Sequence, residues 1–156
     1  MSGAGLGVKL HFEQDLPHQR EALAAVMAQL EDEGAGSPQR LLVEMETGTG
    51  KTYVYLRLVH ELHALHGWSK FIVVVSTVAI REGVASTIDL TREHFRALYG
   101  ETIRSTVFAS RRIEELRDFA HGTELQVLII NIDAFNKARN LIRREHDLFF
   151  GERPIR

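Results

Sequence analysis

The stretch "METGTGKT" (residues 45–52) directly follows the apolar run "RLLVEM" (residues 40–45). A strand, a glycine-rich turn and a helix in that order form a phosphate-binding arrangement, because free backbone N–H groups at the helix start face the anion. Gly48 and Gly50 have no Cβ, so the backbone can approach an oxyanion closely. The stretch therefore predicts a nucleotide site.

Two side chains of this stretch complete the predicted site. Lys51 supplies a positive charge for the terminal phosphates, and the Thr52 hydroxyl is placed to bind Mg²⁺. We therefore expect ATP and Mg²⁺ as cofactors, with Lys51 as the catalytic residue and Thr52 as the metal ligand. The residues assigned to cofactor binding in the loop are Thr47, Gly48, Thr49, Gly50, Lys51 and Thr52.

One position departs from the strict phosphate-loop pattern. That pattern has glycine five positions before Gly50, where this chain has Met45. The departure argues against small nucleotide kinases and favours helicase-type motors. A glycine-rich surface turn could produce the same letters by chance, but the order of strand, loop and helix favours a binding site.

Composition excludes several classes of protein. The chain has 156 residues, of which 44% are hydrophobic and 26% charged, which is ordinary for one globular domain. With a net charge of -2 it has no global field that attracts DNA or a membrane. It has no cysteine, which excludes disulfides and fits a reducing cytoplasm. The apolar runs are too short to span a membrane, and residues 1–15 are predicted to be a flexible leader.

Hydrophobic patterns predict alternating helices and strands. An amphipathic helix is expected over residues 16–31, and a helix over 51–66 with an inner stripe of Val54, Leu58, Leu62 and Leu65. The predicted strands are residues 40–45, 70–75, 105–110 and 125–131, and the remaining helices are residues 79–98 and 111–120. This alternation predicts an α/β fold with a mostly parallel sheet, in which "KFIVVV" is buried on both faces.

Three blocks of sequence resemble one protein family: "LPHQREALAAV", "LLVEMETGTGKTYVYLRLVHEL" with "KFIVVVSTVAIREGV", and "VLIINIDAFNK". In order and spacing they resemble the restriction (Res) subunit of type III restriction enzymes, a superfamily 2 helicase-type ATPase. The resemblance implies an incomplete P-loop (RecA-like) three-layer fold, with residues 16–156 as the N-terminal part of a motor domain. It also implies a cytoplasmic enzyme that uses ATP to move along double-stranded DNA and cleave it, with a methyltransferase (modification) subunit as partner.

The same resemblance assigns further residues. Gln19, 32 positions before Lys51, is similar to the glutamine that reads the adenine edge. Ser76, Thr77 and Arg81 lie in "STVAIREGV", which resembles the segment that holds the nucleic-acid backbone. The family usually has proline where this chain has Ser76. From the residues alone, Gln19 could equally face solvent, and Thr77 could be only a helix cap.

No DEAH-like or DExx sequence follows the phosphate loop in these residues, and "EDE" (residues 31–33) lies at a helix end before it. The resemblance therefore places the acids that position Mg²⁺ beyond residue 156. Asp133 ends an apolar strand, but Ala134 follows where a helicase needs glutamate, so Asp133 is not assigned to the metal. We therefore expect a piece of a larger enzyme that binds nucleotide without turnover. Two alternatives stay open: a complete small P-loop phosphotransferase using Asp133, and a non-catalytic interaction module. The triplet His60, His63 and His66 is interpreted as a solvated face rather than a metal site.

Overall fold

The computed structural model describes residues 16–33, 40–108 and 113–137. Its elements are α1 (Pro17–Glu33), α2 (Lys51–His66), β1 (Lys70–Val75), α3 (Val78–Tyr99), β2 (Arg104–Phe108), α4 (Ile113–His121) and β3 (Gln126–Asn131). The predicted leader, residues 1–15, lies outside the described residues. The chain forms two compact units that divide between Leu58 and Val59, within α2. The assignment of residues 16–156 to one motor domain stays a prediction.

The first unit contains α1, the glycine-rich loop and the first half of α2. Leu23 and Val26 of α1 are buried, as are Val54 and Leu56 of α2. Val54 and Leu56 lie on different sides of α2, so this part of the helix is buried on more than one side. The loop between residues 45 and 51 therefore leads into a helix whose first half is packed.

The second unit is built on a parallel sheet with the strand order β1-β3-β2. Lys70 of β1 and Arg104 of β2 both align with Gln126 at the start of β3. Val127 and Ile129 of β3 are fully buried, as expected for an apolar strand with neighbours on both sides. Helix α3 contacts all three strands and α4 contacts β2. The predicted α/β fold with a parallel sheet is confirmed, and within the described residues no helix is long and apolar enough to cross a membrane.

Two strand predictions need correction. β1 is not buried on both faces, since Ile72 and Val74, which share one face, are 51% and 43% exposed. It also lies at an edge of the sheet, with β3 as its neighbour. The sequence predicts a strand over residues 40–45, but these residues have no regular secondary structure. A strand requires a hydrogen-bonded neighbour, and no described segment pairs with residues 40–45. Leu42 in this segment is accordingly 83% exposed.

The second half of α2 also differs from expectation. The sequence predicts that Leu65 belongs to the inner stripe of the helix, but Leu65 is 60% exposed. It predicts that His60 lies on a solvated face, but His60 is only 2% exposed. The His60 ring stacks on the Tyr99 ring, with centroids 4.8 Å apart and planes 6° from parallel. Phe95 contacts the same imidazole at a centroid distance of 4.9 Å. The aromatic face of α3 therefore buries a residue that its polarity assigned to solvent.

Candidate functional site

The loop before α2 is a tight turn that is closed by hydrogen bonds to one backbone carbonyl. The Glu46 carbonyl accepts hydrogen bonds from the Thr49 amide at 3.4 Å and the Thr49 hydroxyl at 2.7 Å. Gly48 and Gly50 have φ values of 85° and 86°, in the left-handed region that side chains with a Cβ adopt at a cost. The conformation thus explains why the sequence has glycine at both positions. Thr47 lies exposed at the turn.

Lys51, the first residue of α2, points back across this loop. Its ammonium donates to the Met45 carbonyl at 2.8 Å and to the Glu46 carbonyl at 2.7 Å. Both hydrogen bonds join the charged ammonium to a neutral carbonyl. An anion can displace these carbonyls, because it is a stronger acceptor of opposite charge. These two bonds hold the ammonium at the turn that the sequence predicts to bind phosphate.

The Thr52 side chain is half-buried on the first turn of α2 and interacts with the Tyr55 side chain. Burial raises the pKa of Tyr55, and the nearby Thr52 side chain lowers it by a smaller amount. Within the described residues, the buried Tyr55 hydroxyl has no partner at hydrogen-bonding geometry. A small apolar cavity of 160 Å³ lies here, and Leu23, Val43, Lys51 and Tyr55 contribute to its wall. The Thr52 hydroxyl is thus placed at the start of α2, where a hydroxyl can bind a metal that also contacts phosphate.

Gln19 on the first turn of α1 reaches the loop, although 30 residues separate the two partners. Its side-chain amide donates to the Thr49 carbonyl at 2.9 Å. The same amide fills the space beside Gly50, so a Cβ there would collide with Gln19 Nε2. The structure thus brings Gln19 together with the phosphate loop, and leaves its assignment to the adenine edge a prediction.

The neighbouring residue His18 was not predicted from the sequence. Its Nε2 atom lies 3.1 Å from the same Thr49 carbonyl oxygen. His18 is solvent-exposed, so no hydrophobic pattern marks it. The only signal in the sequence is its place directly before Gln19 in "LPHQR".

A groove of 680 Å³ opens beside the loop, lined by His18, Glu21 and Ala25 of α1, by residues 41–46 and by Thr49. Its volume lies in the range of small-molecule sites, about 300–1,000 Å³. The groove meets the glycine-rich loop at Thr49. The ammonium of Lys51 and the two glycines are suited to the phosphates of a nucleotide, and Thr52 is the side chain that would contact Mg²⁺.

The residues predicted to contact nucleic acid lie in the other unit, at the carboxyl end of β1. Thr77 caps α3, because its hydroxyl accepts from the Ile80 amide at 3.2 Å. The Arg81 guanidinium donates to the Phe108 carbonyl at 3.3 Å and pairs with Glu82 at 2.9 Å. Ser76 is exposed. Local structure therefore uses Thr77 and Arg81, and their contact with nucleic acid stays a prediction.

Asp133 is exposed on the helical turn of residues 132–137, directly after β3. Parallel strands place their carboxyl ends on one edge of a sheet, so Asp133 and Ser76 follow neighbouring strands at the same edge. The following residue, Ala134, is buried at 3% exposure and packs in the core of β2 and β3. Residue 134 therefore contributes to packing, and leaving Asp133 without a metal role stays a prediction.

The phosphate loop at the start of α2 and the parallel α/β sheet define a P-loop protein of the helicase-like class. The chain belongs to the family described as "Type III restriction enzyme, res subunit", whose model matches residues 13–152. This confirms the family inferred from the three sequence blocks.

Three curated relatives agree with the family assignment. The chain is 42% identical over 108 residues to the Res subunit of the type III restriction-modification enzyme StyLTI from Salmonella typhimurium, covering 57% of this chain and 11% of that protein. It is 32% identical over 111 residues to the EcoP15I Res subunit from Escherichia coli, covering 60% and 11%. The EcoPI Res subunit from Escherichia phage P1 is 40% identical over 72 residues, or 45% and 7%. The chain thus matches about a tenth of the length of these relatives.

Proposed function

We propose that these residues are the ATP-binding part of a DNA-dependent ATPase in a type III restriction enzyme. In the whole enzyme, ATP hydrolysis is coupled to movement along double-stranded DNA and to DNA cleavage. The observation that carries the proposal is the Lys51 ammonium, held inside a glycine turn at the start of a helix. Membership of the Res subunit family supports it.

Phosphate binding is an exchange of partners at Lys51. The Met45 and Glu46 carbonyls hold the ammonium in place, and a terminal phosphate then takes over part of this hydrogen bonding. The backbone at Gly48 and Gly50 approaches the phosphates without a Cβ in the way. Mg²⁺ would neutralise phosphate charge, and the Thr52 hydroxyl is the side chain of this loop that would hold it.

The base is read by Gln19 on the first turn of α1. Gln19 has two N–H donors and one carbonyl acceptor, of which one donor is engaged by the Thr49 carbonyl. The remaining donor and the acceptor match the N6/N7 edge of adenine. ATP is therefore preferred over GTP, and the same side chain links the base to the phosphate loop.

Hydrolysis and DNA movement need more than these residues. No DExx acids follow the phosphate loop in this sequence, so residues 1–156 are proposed to bind nucleotide without turning it over. DNA contacts are assigned to Ser76, Thr77 and Arg81, and residues 137–156 add six basic residues against three acidic ones. The methyltransferase (modification) subunit is the proposed partner in the whole complex, which acts in the cytoplasm.

Titration calorimetry with a non-hydrolysable ATP analogue tests the proposal. Lys51→Ala should weaken binding by about 1.5–3 kcal/mol, roughly 10- to 150-fold, because a charge-assisted hydrogen bond to phosphate is lost. Lys137→Ala is the matched control, since Lys137 is an exposed lysine of the other unit and should leave affinity unchanged.

Equal affinity of the Lys51→Ala variant and the wild type would refute the assignment of the loop. Steady ATP hydrolysis by residues 1–156, abolished by Lys51→Ala, would contradict the absence of turnover. That outcome would make Asp133 a working metal acid and favour a small phosphotransferase.

A further inference from the structure

One carbonyl oxygen of the phosphate loop receives two donors from consecutive residues of α1. The Thr49 carbonyl accepts from Gln19 Nε2 at 2.9 Å, and His18 Nε2 lies 3.1 Å from the same oxygen. A carbonyl oxygen can only accept, so the His18 contact requires the proton to be on Nε2. Both donors come from the first turn of a helix of 17 residues, so their backbone positions are fixed.

The direction of this carbonyl sets the direction of an amide. The Thr49–Gly50 peptide is planar and trans, so its N–H points opposite to its C=O. Because the Thr49 oxygen faces α1, the Gly50 N–H faces away from α1. Among the described residues, no backbone carbonyl accepts from this N–H. It is therefore available to an anion in the loop.

We propose that His18 is a positioning residue for phosphate binding: with Gln19, it holds the Thr49 carbonyl so that the Gly50 N–H is directed at the bound phosphate. This inference rests on the proposed nucleotide function. It gives the two residues different tasks: Gln19 is assigned to the base as well as to the loop, whereas His18, which also lines the groove, is assigned to the loop alone. The effect of His18 is then independent of the base.

The side-chain lengths provide matched variants. In glutamine, Nε2 is four bonds from Cα, as is Nε2 of histidine, so His18→Gln keeps a donor at the required distance. In asparagine the amide nitrogen is one bond closer to Cα, so His18→Asn cannot reach the Thr49 carbonyl. His121→Asn is the control, because His121 is an exposed histidine at the end of α4 in the other unit.

The experiment measures binding of Mg²⁺-pyrophosphate, an ATP analogue and a GTP analogue by calorimetry, together with the ¹⁵N–¹H shift of the Gly50 amide. His18→Asn should weaken all three ligands by the same factor, about 3- to 10-fold, the value of one hydrogen bond. It should also shift the Gly50 resonance in the free protein. His18→Gln and His121→Asn should stay within about twofold of the wild type on the same scale.

Wild-type affinity in His18→Asn with an unchanged Gly50 shift would overturn the inference and leave the proposed function intact. So would a loss seen only with the ATP analogue, because His18 would then contact the base. A His18→Gln variant as weak as His18→Asn would show that the ring, and not its donor, matters. A wild-type protein that binds none of the three ligands would instead refute the proposed function, and this inference with it.

Discussion

Gly50 and Gly48 have nearly the same backbone conformation but different surroundings, which permits a controlled test of the loop. Their φ values are 86° and 85°, so alanine at either position is forced into the left-handed region, at a cost of about 1–2 kcal/mol. Nothing lies within 4 Å of a Cβ built at Gly48, whereas a Cβ at Gly50 collides with Gln19 Nε2. Gly50→Ala must therefore also displace the Gln19 amide from the Thr49 carbonyl.

The hydrogen bond lost in this way contributes about 0.5–1.5 kcal/mol. We therefore expect Gly48→Ala to lower the free energy of unfolding by about 1–2 kcal/mol, and Gly50→Ala by about 1.5–3.5 kcal/mol. Urea unfolding followed by far-UV circular dichroism measures both. Gly83→Ala is the control, since Gly83 is a helical residue with open space at its Cβ, and should stabilise by about 0.5–1 kcal/mol.

A double-mutant cycle separates the collision from the backbone strain. In a Gln19→Ala background the space beside Gly50 is open, so Gly50→Ala should cost no more than Gly48→Ala. Equal losses for the two glycine variants in the wild-type background would refute the placement of Gln19 against the loop. A Gly50→Ala cost that persists without Gln19 would refute it as well.

Two further predictions concern the second unit. Burial lowers the pKa of His60 to about 4, so as pH falls from 6.5 towards 4 the unfolded chain binds a proton that the folded chain excludes. Above pH 6.5 this protonation does not affect stability. Below pH 6.5 the free energy of unfolding should fall by about 1.4 kcal/mol per pH unit, to a total loss of about 3 kcal/mol. Urea midpoints should show that His60→Phe removes this slope, and an identical slope in the variant would contradict the burial of His60. Ile129→Ala should lower the free energy of unfolding by about 2–5 kcal/mol, because Ile129 is fully buried in β3. Val74→Ala, on the exposed face of β1, should cost far less, and similar costs for the two variants would contradict the strand order.

The sequence predicted which segments are helices and strands better than it predicted which faces are buried. The helices and the three paired strands lie within two residues of their predicted ends. Both "KFIVVV" and "VLIIN" are apolar, but β1 is at an edge and β3 is in the centre. Apolar composition indicates a strand and does not give its place in the sheet, because the place depends on partners far along the chain.

Helix α2 shows the same limit. Leu65 is apolar and in phase with the predicted stripe but is 60% exposed, while His60 is polar and 2% exposed. Burial of His60 depends on its stacking with Tyr99, 39 residues away, which no local pattern contains. Polarity alone therefore assigned the wrong face to solvent.

The candidate site was predictable where its chemistry is local. Positive φ values at Gly48 and Gly50 follow from a turn that must expose backbone N–H groups. His18 was not predictable, because its role depends on how the first turn of α1 meets Thr49, 31 residues further along the chain. Gln19 was identified only through the family resemblance, for the same reason.

Of the three strands, β3 is the last in the chain, yet it lies between the other two. Both ladders of the sheet contain β3, since β1 and β2 each pair with it. On the ribosome, neither ladder can form until residues 126–131 have left the exit tunnel. The nascent chain therefore carries β1, which is apolar, and β2, which is of mixed polarity, without their partner strand, while helices α1, α2 and α3 can already form from local contacts. A chaperone that binds extended apolar segments would find its site in this interval, and would lose it when β3 inserts.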